Sequence, residues 1–288
     1  MSQRRIQRHG ADTFAGPLNE VRAVSTAGGG TALTTTAGVI GLPNGINHAE
    51  LIARNFTTAV VVKYALNPYL MFLKSTDQGL TFTDYSVTGQ QNPVDTTGIN
   101  LSSQPTFTNG GVLYIGAHVP FRGLLVDMSA SVNAVVATSL AEYWNGTAWV
   151  TLAVTDGTAS GGATFAQDGN MTWTVPSAWT SDFLSNTVAA AASLRLLPAQ
   201  RSTYNVYSDT PFYWARITVS AALTANTKIS AAFALNRSTS YAETLENSAV
   251  AFTVQKVPGG IACVEALTDA GTANLIVNAY TDNPKGLF

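Results

Sequence analysis

The sequence has few charged residues and a single cysteine, and each scarcity excludes a class of protein. Charged residues make up 11% of the 288 residues, against about 25% in an average soluble domain. The formal net charge of −2 predicts neither nucleic acid nor an anionic membrane as a specific partner. Cys263, the one cysteine, excludes an intrachain disulfide. It stands in an apolar run, which predicts a small buried side chain.

Recognisable catalytic and membrane-spanning signals are also missing. No apolar run approaches the roughly 18 residues of a membrane span, so no membrane partner is predicted. The three histidines, His9, His48 and His118, show no metal-binding spacing. Asp156 and Asp168 precede glycines in turn signals, where a carboxylate commonly bonds backbone N–H groups. Calcium binding by these two loops stays open as an alternative. We expect no catalytic residue, cofactor site or metal site, and we do not expect an enzyme.

The composition instead indicates a protein that packs against other subunits. Hydrophobic residues reach 46%, and Ala, Thr, Ser, Asn and Gly stand where charged residues are common in other proteins. A surface of this kind repels its neighbours weakly. We therefore expect the chain to associate with copies of itself or with a larger assembly.

Short apolar runs separated by turn residues dominate the chain. In the stretch from Ala141 to Gly169, two aromatic runs flank Asn145-Gly146, a pair that predicts a type I′ hairpin because both positions favour positive φ. Later runs in this stretch stop at Asp-Gly pairs, and similar runs recur along most of the sequence. Only Ser177 to Pro198 has helical leanings. This pattern predicts an all-β fold.

We predict two antiparallel β-sandwich domains, of jelly-roll or Ig-like type, with an extended N-terminal arm. The arm is residues 1–30, the first β domain is 31–110, and the second β-sandwich domain is 111–235. Residues 236–288 carry C-terminal strands that complete one of the sandwiches. A chain of this length has room for two such domains.

The N-terminal arm contains a basic cluster formed by Arg4, Arg5, Arg8 and His9. No apolar segment follows it, so a secretory signal peptide is not expected. One interpretation is a solvated tail. The other is a tether that binds an acidic neighbouring subunit. Binding to packaged nucleic acid is the weakest alternative, because three arginines release few counterions.

Trp144 and Trp149 stand on either side of the predicted hairpin turn, close enough for cross-strand contact. They could form an exposed platform that stacks on sugar rings, or they could serve core and hairpin packing. Trp144→Ala separates these interpretations, because loss of folding indicates packing and loss of glycan binding alone indicates a platform.

The run Phe212 to Val219 alternates as a strand. Tyr213 and Ile217 belong to one face, and Trp214 and Arg216 belong to the other. Aromatic residues on both faces indicate a strand that is buried on one side and covered on the other.

Several of these residues together form a pattern that resembles structural proteins of tailed bacteriophages. The pattern covers Tyr143 to Ile217. Its motifs are Tyr143-Trp144-Asn145-Gly146 with Trp149, Asp156-Gly157-Thr158, Trp173-Thr174-Val175-Pro176 with Trp179, and Tyr213-Trp214-Ala215-Arg216-Ile217.

The resemblance implies a non-enzymatic, homo-oligomeric β-sandwich protein of the virion, which is assembled in the bacterial cytoplasm, and it transfers no catalytic residue. We expect a capsid decoration (cement) protein, a trimer that binds the major capsid protein or other virion subunits and stabilises the assembled head. The arm from Arg4 to His9 would be its tether. The alternatives are a tail, baseplate or fibre component, and a glycan-binding receptor-recognition module built on Trp144 and Trp149.

Overall fold

The computed structural model describes most of the chain. The described residues are 19–23, 30–42, 46, 48–58, 61–90, 98–188, 211–241, 243–246, 253–256 and 260–281. Strands dominate them, which confirms the predicted all-β class.

The described strands, in chain order, are β1 (Asn19–Ala23), β2 (Thr31–Leu33), β3 (Gly38–Gly41), β4 (His48–Arg54), β5 (Val61–Asn67), β6 (Met71–Ser75), β7 (Thr83–Asp84), β8 (Ile99–Asn100), β9 (Val112–Ala117), β10 (Gly123–Met128), β11 (Ser139–Trp144), β12 (Trp149–Leu152), β13 (Thr155–Asp156), β14 (Gly169–Thr172), β15 (Ser181–Asp182), β16 (Phe212–Val219), β17 (Lys228–Ala234), β18 (Glu243–Glu246), β19 (Thr253–Lys256), β20 (Cys263–Thr268) and β21 (Ala273–Thr281). The helical turns are α1 (Leu184–Thr187) and two 3-10 turns, Thr88–Gln90 and Phe107–Asn109. Within Ser177 to Pro198, the segment with helical leanings, the structure describes one helical turn, α1.

The chain divides into two compact units. The first unit comprises residues 1–66 and 241–288, and the second comprises residues 67–240. The second unit is inserted between β5 and β18, which pair antiparallel with each other. The chain thus leaves and rejoins the first unit on neighbouring strands, which is how insertions are commonly accommodated.

This division differs from the predicted boundary at residue 110. β6 precedes that boundary and β9 follows it, yet the two strands pair along their lengths, from Met71 opposite Gly116 to Ser75 opposite Val112. The C-terminal strands β20 and β21 pair with β3 and β4. Strand pairing joins residues far apart in sequence, so local turn signals did not locate the boundaries.

The first unit holds two antiparallel sheets. One has the order β1-β21-β4-β19, with β2 also paired to β21, and the other has the order β18-β5-β20-β3. Leu51 and Val277 of the first sheet belong to the same buried cluster as Val62 and Val264 of the second. Cys263 is fully buried, as predicted.

The predicted N-terminal arm is only partly described. Residues 19–23 form β1, which pairs with β21 and so belongs to a sheet. An extended arm is therefore not confirmed over these residues, whose pairing with β21 satisfies the backbone N–H and C=O groups on one side of the strand. The basic residues Arg4, Arg5, Arg8 and His9 lie outside the described residues.

The second unit also holds two antiparallel sheets. The smaller has the order β13-β14-β10-β17-β8, and the larger has the order β12-β11-β16-β9-β6-β7 with β15 also paired to β16. A buried cluster takes Leu124 and Met171 from the smaller sheet and Phe72 and Ile217 from the larger sheet. The architecture of the described residues is therefore all-β and β-sandwich-like.

The larger sheet of the second unit is buried on both faces. Tyr213 and Ile217 of β16 contact the cluster shared with the smaller sheet. Trp214, fully buried, belongs to a second cluster on the opposite face, which Leu184 of α1 helps to cover. The predicted alternation of β16, buried on one side and covered on the other, is confirmed.

Candidate functional site

Trp144 and Trp149 are directly opposite each other on β11 and β12, and their ring centroids lie 5.6 Å apart in an edge-to-face arrangement. The indole N–H of Trp144 donates to the Asp182 carboxylate at 3.0 Å, and that of Trp149 donates to the Thr187 carbonyl at 2.8 Å. Trp144 is only 7% exposed. A ring this buried has no open face for a sugar, so the geometry favours packing.

The turn between these tryptophans differs from the type I′ hairpin that the sequence predicts. Gly146 has a φ of +96°, but Asn145 is not among the residues with positive φ. Instead, the side-chain oxygen of Asn145 accepts hydrogen bonds from the backbone N–H groups of Thr147 and Ala148, at 2.9 and 2.8 Å. The asparagine therefore closes the turn through its side chain.

A charged pair lies beside Trp149 on the same face. The Nε of Arg216 lies 2.6 Å from a carboxylate oxygen of Glu142, and the two residues are cross-strand partners on β16 and β11. The guanidinium stacks against two rings, those of Phe107 and Trp149. Burial raises the pKa of the neighbouring Tyr114 to about 12. These contacts fix the cation in place, which suits a structural role.

The two aspartates of the turn signals act through hydrogen bonds. One oxygen of Asp156 accepts from the backbone N–H and the hydroxyl of Thr158, at 2.9 and 2.6 Å. Its other oxygen accepts from the hydroxyls of Ser139 and Thr164, at 2.8 and 2.6 Å. Asp168 accepts from the backbone N–H of Met128 at 2.7 Å. The turn role of Asp156 is thus confirmed, whereas Asp168 holds a more distant strand.

Within the described part of the chain, no group of three or more His, Cys, Asp and Glu side chains is placed to hold a metal ion.

The feature that best fits an interaction site is one end of the second unit, which we call the uncharged end. It consists of residues 128–141, 157–167 and 217–227, none of which is Asp, Glu, Lys, Arg or His. Hydrogen bonds join the three stretches. The backbone N–H of Ala137 donates to the Gly162 carbonyl at 3.2 Å, and that of Thr138 donates to the Ser220 hydroxyl at 2.9 Å. Sequence-distant segments therefore meet at one end of the unit. Charged groups adjoin it, among them the carboxylates of Asp156, bonded to Ser139, Thr158 and Thr164, and of Asp168, bonded to Met128.

Asn133 connects all three stretches of the uncharged end and is 2% exposed. Its side-chain N–H2 group donates to the carbonyls of Val135 and Thr164, at 2.8 and 2.9 Å. Its side-chain oxygen accepts from the backbone N–H of Val135 at 3.0 Å, and from the backbone N–H and the hydroxyl of Thr224, both at 3.1 Å. Such a connected network fixes the loops in one arrangement.

Large apolar side chains project from the uncharged end. Val136 is 71% exposed and Leu140 is 44% exposed, and Val132 and Val135 are also exposed. Their neighbours are mainly small residues. An apolar centre depleted of charged residues is the composition of a protein–protein interface core.

A cavity of about 470 Å³ opens in the second unit, and Ala225 and Asn226 of the uncharged end form part of its lining. Its lining includes Tyr85, Asn100, Asn226 and Lys228. The amine of Lys74 donates to the carbonyl of Asn100 at 2.9 Å, and burial lowers the pKa of Lys74. The lining therefore offers hydroxyl, amide and amine groups that can form hydrogen bonds.

A scan of protein-family models, a search of curated proteins and a search of solved structures each find no match to this chain. Among the described residues, no helix combines the length and the apolar character that crossing a membrane requires.

Sequence reasoning missed the uncharged end and Asn133. The missing charges were visible in each of the three stretches, but only the strand pairing shows that the stretches meet. The bonds of Asn133 to Val135 are local, but its other partners, Thr164 and Thr224, are distant in sequence.

Proposed function

We propose that the chain is a structural protein of a bacteriophage virion, and within that class a capsid decoration protein. It would bind the major capsid protein on the assembled head and act after assembly in the bacterial cytoplasm, without enzymatic activity. Binding only to the assembled shell would stabilise that shell by mass action. Its two units would be sandwiches of jelly-roll or Ig-like type, and it would bind as a trimer.

One observation carries this proposal. The whole stretch that resembles phage structural proteins, Tyr143 to Ile217, belongs to the second unit, and its described motif aromatics pack within that unit. Trp173 and Trp179 lie in the same buried cluster as Tyr143, and their indole N–H groups donate to the carbonyls of Phe121 and Trp214. The motif residues thus build a scaffold, as expected for a structural subunit.

The low charge of the chain supports the same proposal. With 11% charged residues, the surface offers little repulsion to a close-packed neighbour. The basic residues Arg4, Arg5, Arg8 and His9 would add an electrostatic tether to acidic groups of the capsid, a contact that salt weakens.

The test is to add the purified chain to heads of the phage that encodes it, after those heads have been stripped of the protein. We expect saturable binding with a fixed number of copies per head, and heads that resist heat better once they are decorated. Gold-labelled chain seen only on tails would replace this proposal with a tail or baseplate role. Binding to a glycan array without binding to particles would replace it with the receptor-recognition role.

The tether is tested separately by replacing Arg4, Arg5 and Arg8 together with alanine. We expect the variant to fold like the wild type and to bind heads more weakly, with a reduced dependence on salt. Unchanged binding would remove the tether from the proposal and leave the decoration role intact.

A further inference from the structure

We propose that the uncharged end is the surface through which copies of this chain associate with one another. This inference rests on the homo-oligomeric part of the proposed function and names the surface responsible. The occupant is a second copy, because three properties of the surface favour contact with itself.

The first property is that the residues of the three stretches carry no charge. In a symmetric oligomer, residues near the rotation axis approach their own counterparts in the neighbouring copies. A charged side chain there meets the same charge, and such like-charge contacts are costly. The three stretches contain no Asp, Glu, Lys, Arg or His. The flanking carboxylates of Asp156 and Asp168 already accept hydrogen bonds from this end, so the like-charge cost between copies is small.

The second property is exposed apolar area. Val136 is 71% exposed, and the Cγ1 atom of its side chain lies close to Gly162, which is also exposed. Val132 and Val135 stand on the same loop. Together with small neighbours such as Ala134, they offer a surface that a second copy could approach closely and remove from water.

The third property is preorganisation. Asn133 holds the three stretches through the hydrogen bonds described above, and Asp156 anchors residues 158 and 164 to the beginning of β11. Loops that are already fixed lose little conformational entropy on association, so more of the burial energy contributes to binding.

The experiment measures the mass of the purified full chain by light scattering over a range of concentrations, with no phage particle present. We expect a homo-oligomer of the 30.2 kDa chain. We expect Val136→Asp and the double variant Val135→Asp/Val136→Asp to be monomeric, with an unchanged circular dichroism spectrum. The matched control is Val87→Asp, at an aliphatic residue that is 59% exposed and lies outside the uncharged end, and this control should stay oligomeric.

A cross-linking measurement covers the case in which the aspartate variants fail to fold. Cys263 is fully buried, so an added surface thiol would be the accessible one. With a short bis-maleimide, Ala134→Cys should give covalent oligomers and Val87→Cys should not.

A wild-type chain that stays monomeric at every concentration would overturn the inference, as would cross-linking of the two cysteine variants to the same extent. Should the aspartate variants remain oligomeric, the inference would also be wrong. If the wild type is monomeric in solution and Val136→Asp no longer binds heads, this end would instead be the surface that binds the capsid. Because the decoration assay needs heads and this assay does not, either proposal can fail alone.

Discussion

The guanidinium of Arg216 lies over the ring of Trp149, with 4.7 Å between the guanidinium carbon and the ring centroid. It also lies over the ring of Phe107 at the same distance, 4.7 Å, and the Nε of Arg216 pairs with the carboxylate of Glu142. The side chains of Arg216 and Glu142 are 13% and 15% exposed. A cation over the faces of two rings is attracted by both π systems. The outer face of the larger sheet in the second unit is therefore held by an ion pair as well as by apolar packing.

Replacing Arg216 with an uncharged residue should lower the free energy of unfolding. Arg216→Met keeps much of the apolar length but leaves the Glu142 carboxylate without its ion-pair partner. We expect the free energy of unfolding to fall by about 2–4 kcal/mol, because an unpaired, largely buried charge is strongly unfavourable. Chemical denaturation measures this. In the double variant Arg216→Met/Glu142→Gln, part of the loss should return. Strictly additive effects would show that the two residues are not coupled.

Trp144 should behave as a packing residue. Trp144→Ala removes a ring that is 7% exposed and its hydrogen bond to Asp182, so we expect a loss of about 3–5 kcal/mol in unfolding free energy. Thr151→Ala, an exposed position on the neighbouring strand β12, is the control and should change stability by less than about 0.5 kcal/mol. A Trp144→Ala protein with wild-type stability that had lost binding to a glycan would instead identify a sugar platform.

Asn133 should be far more sensitive than other loop asparagines. Asn133→Ala deprives the Val135 and Thr224 backbone N–H groups and the Thr164 carbonyl of their partners. We expect a loss of about 2–4 kcal/mol, since the buried Thr164 carbonyl and the half-buried N–H groups of Val135 and Thr224 would each be left without this hydrogen bond. Hydrogen exchange should be faster across residues 131–138 and 158–165. Asn226→Ala, at an exposed position on the same end, should be close to neutral. Equal effects at the two sites would contradict the network.

Tyr114 should make the protein sensitive to strong alkali. Burial raises the pKa of Tyr114 to about 12, above the value of about 10 in an unfolded chain. Between these two values the folded state binds more protons than the unfolded state, so stability falls as the pH rises through this window. Below pH 10, Tyr114 is protonated in both states, and its contribution to the free energy of unfolding is fully present. Tyr114→Phe should therefore lose less stability than the wild type between pH 9 and pH 12, as measured by denaturation with guanidinium. If the free energies of unfolding of the two proteins fall equally with pH, the raised pKa of Tyr114 would be refuted.

Some of the architecture was predictable because it depends on neighbouring residues. The alternation from Phe212 to Val219 placed Ile217 and Trp214 on opposite faces, and the two clusters of the second unit confirm this. The pairing of Trp144 with Trp149 was also predicted. The turn type was wrong, since the Asn145 side chain supplies bonds that the dipeptide rule does not consider.

Other features were not predictable from local pattern. Nothing within β6 indicates that its partner is β9, and the insertion of residues 67–240 between β5 and β18 crosses the predicted boundaries. Pairing between distant strands depends on which apolar faces fit together. Local turn residues carry no information about that choice.

The sequence by itself determined many of the strands, the faces of β16 and the scarcity of charge, because these follow from side-chain periodicity and composition. Only the tertiary structure decided that residues 128–141, 157–167 and 217–227 meet at one end and that Asn133 binds them together. The physical reason is that a strand's faces are set by residues two apart, whereas a surface made from several loops exists only once distant strands have paired.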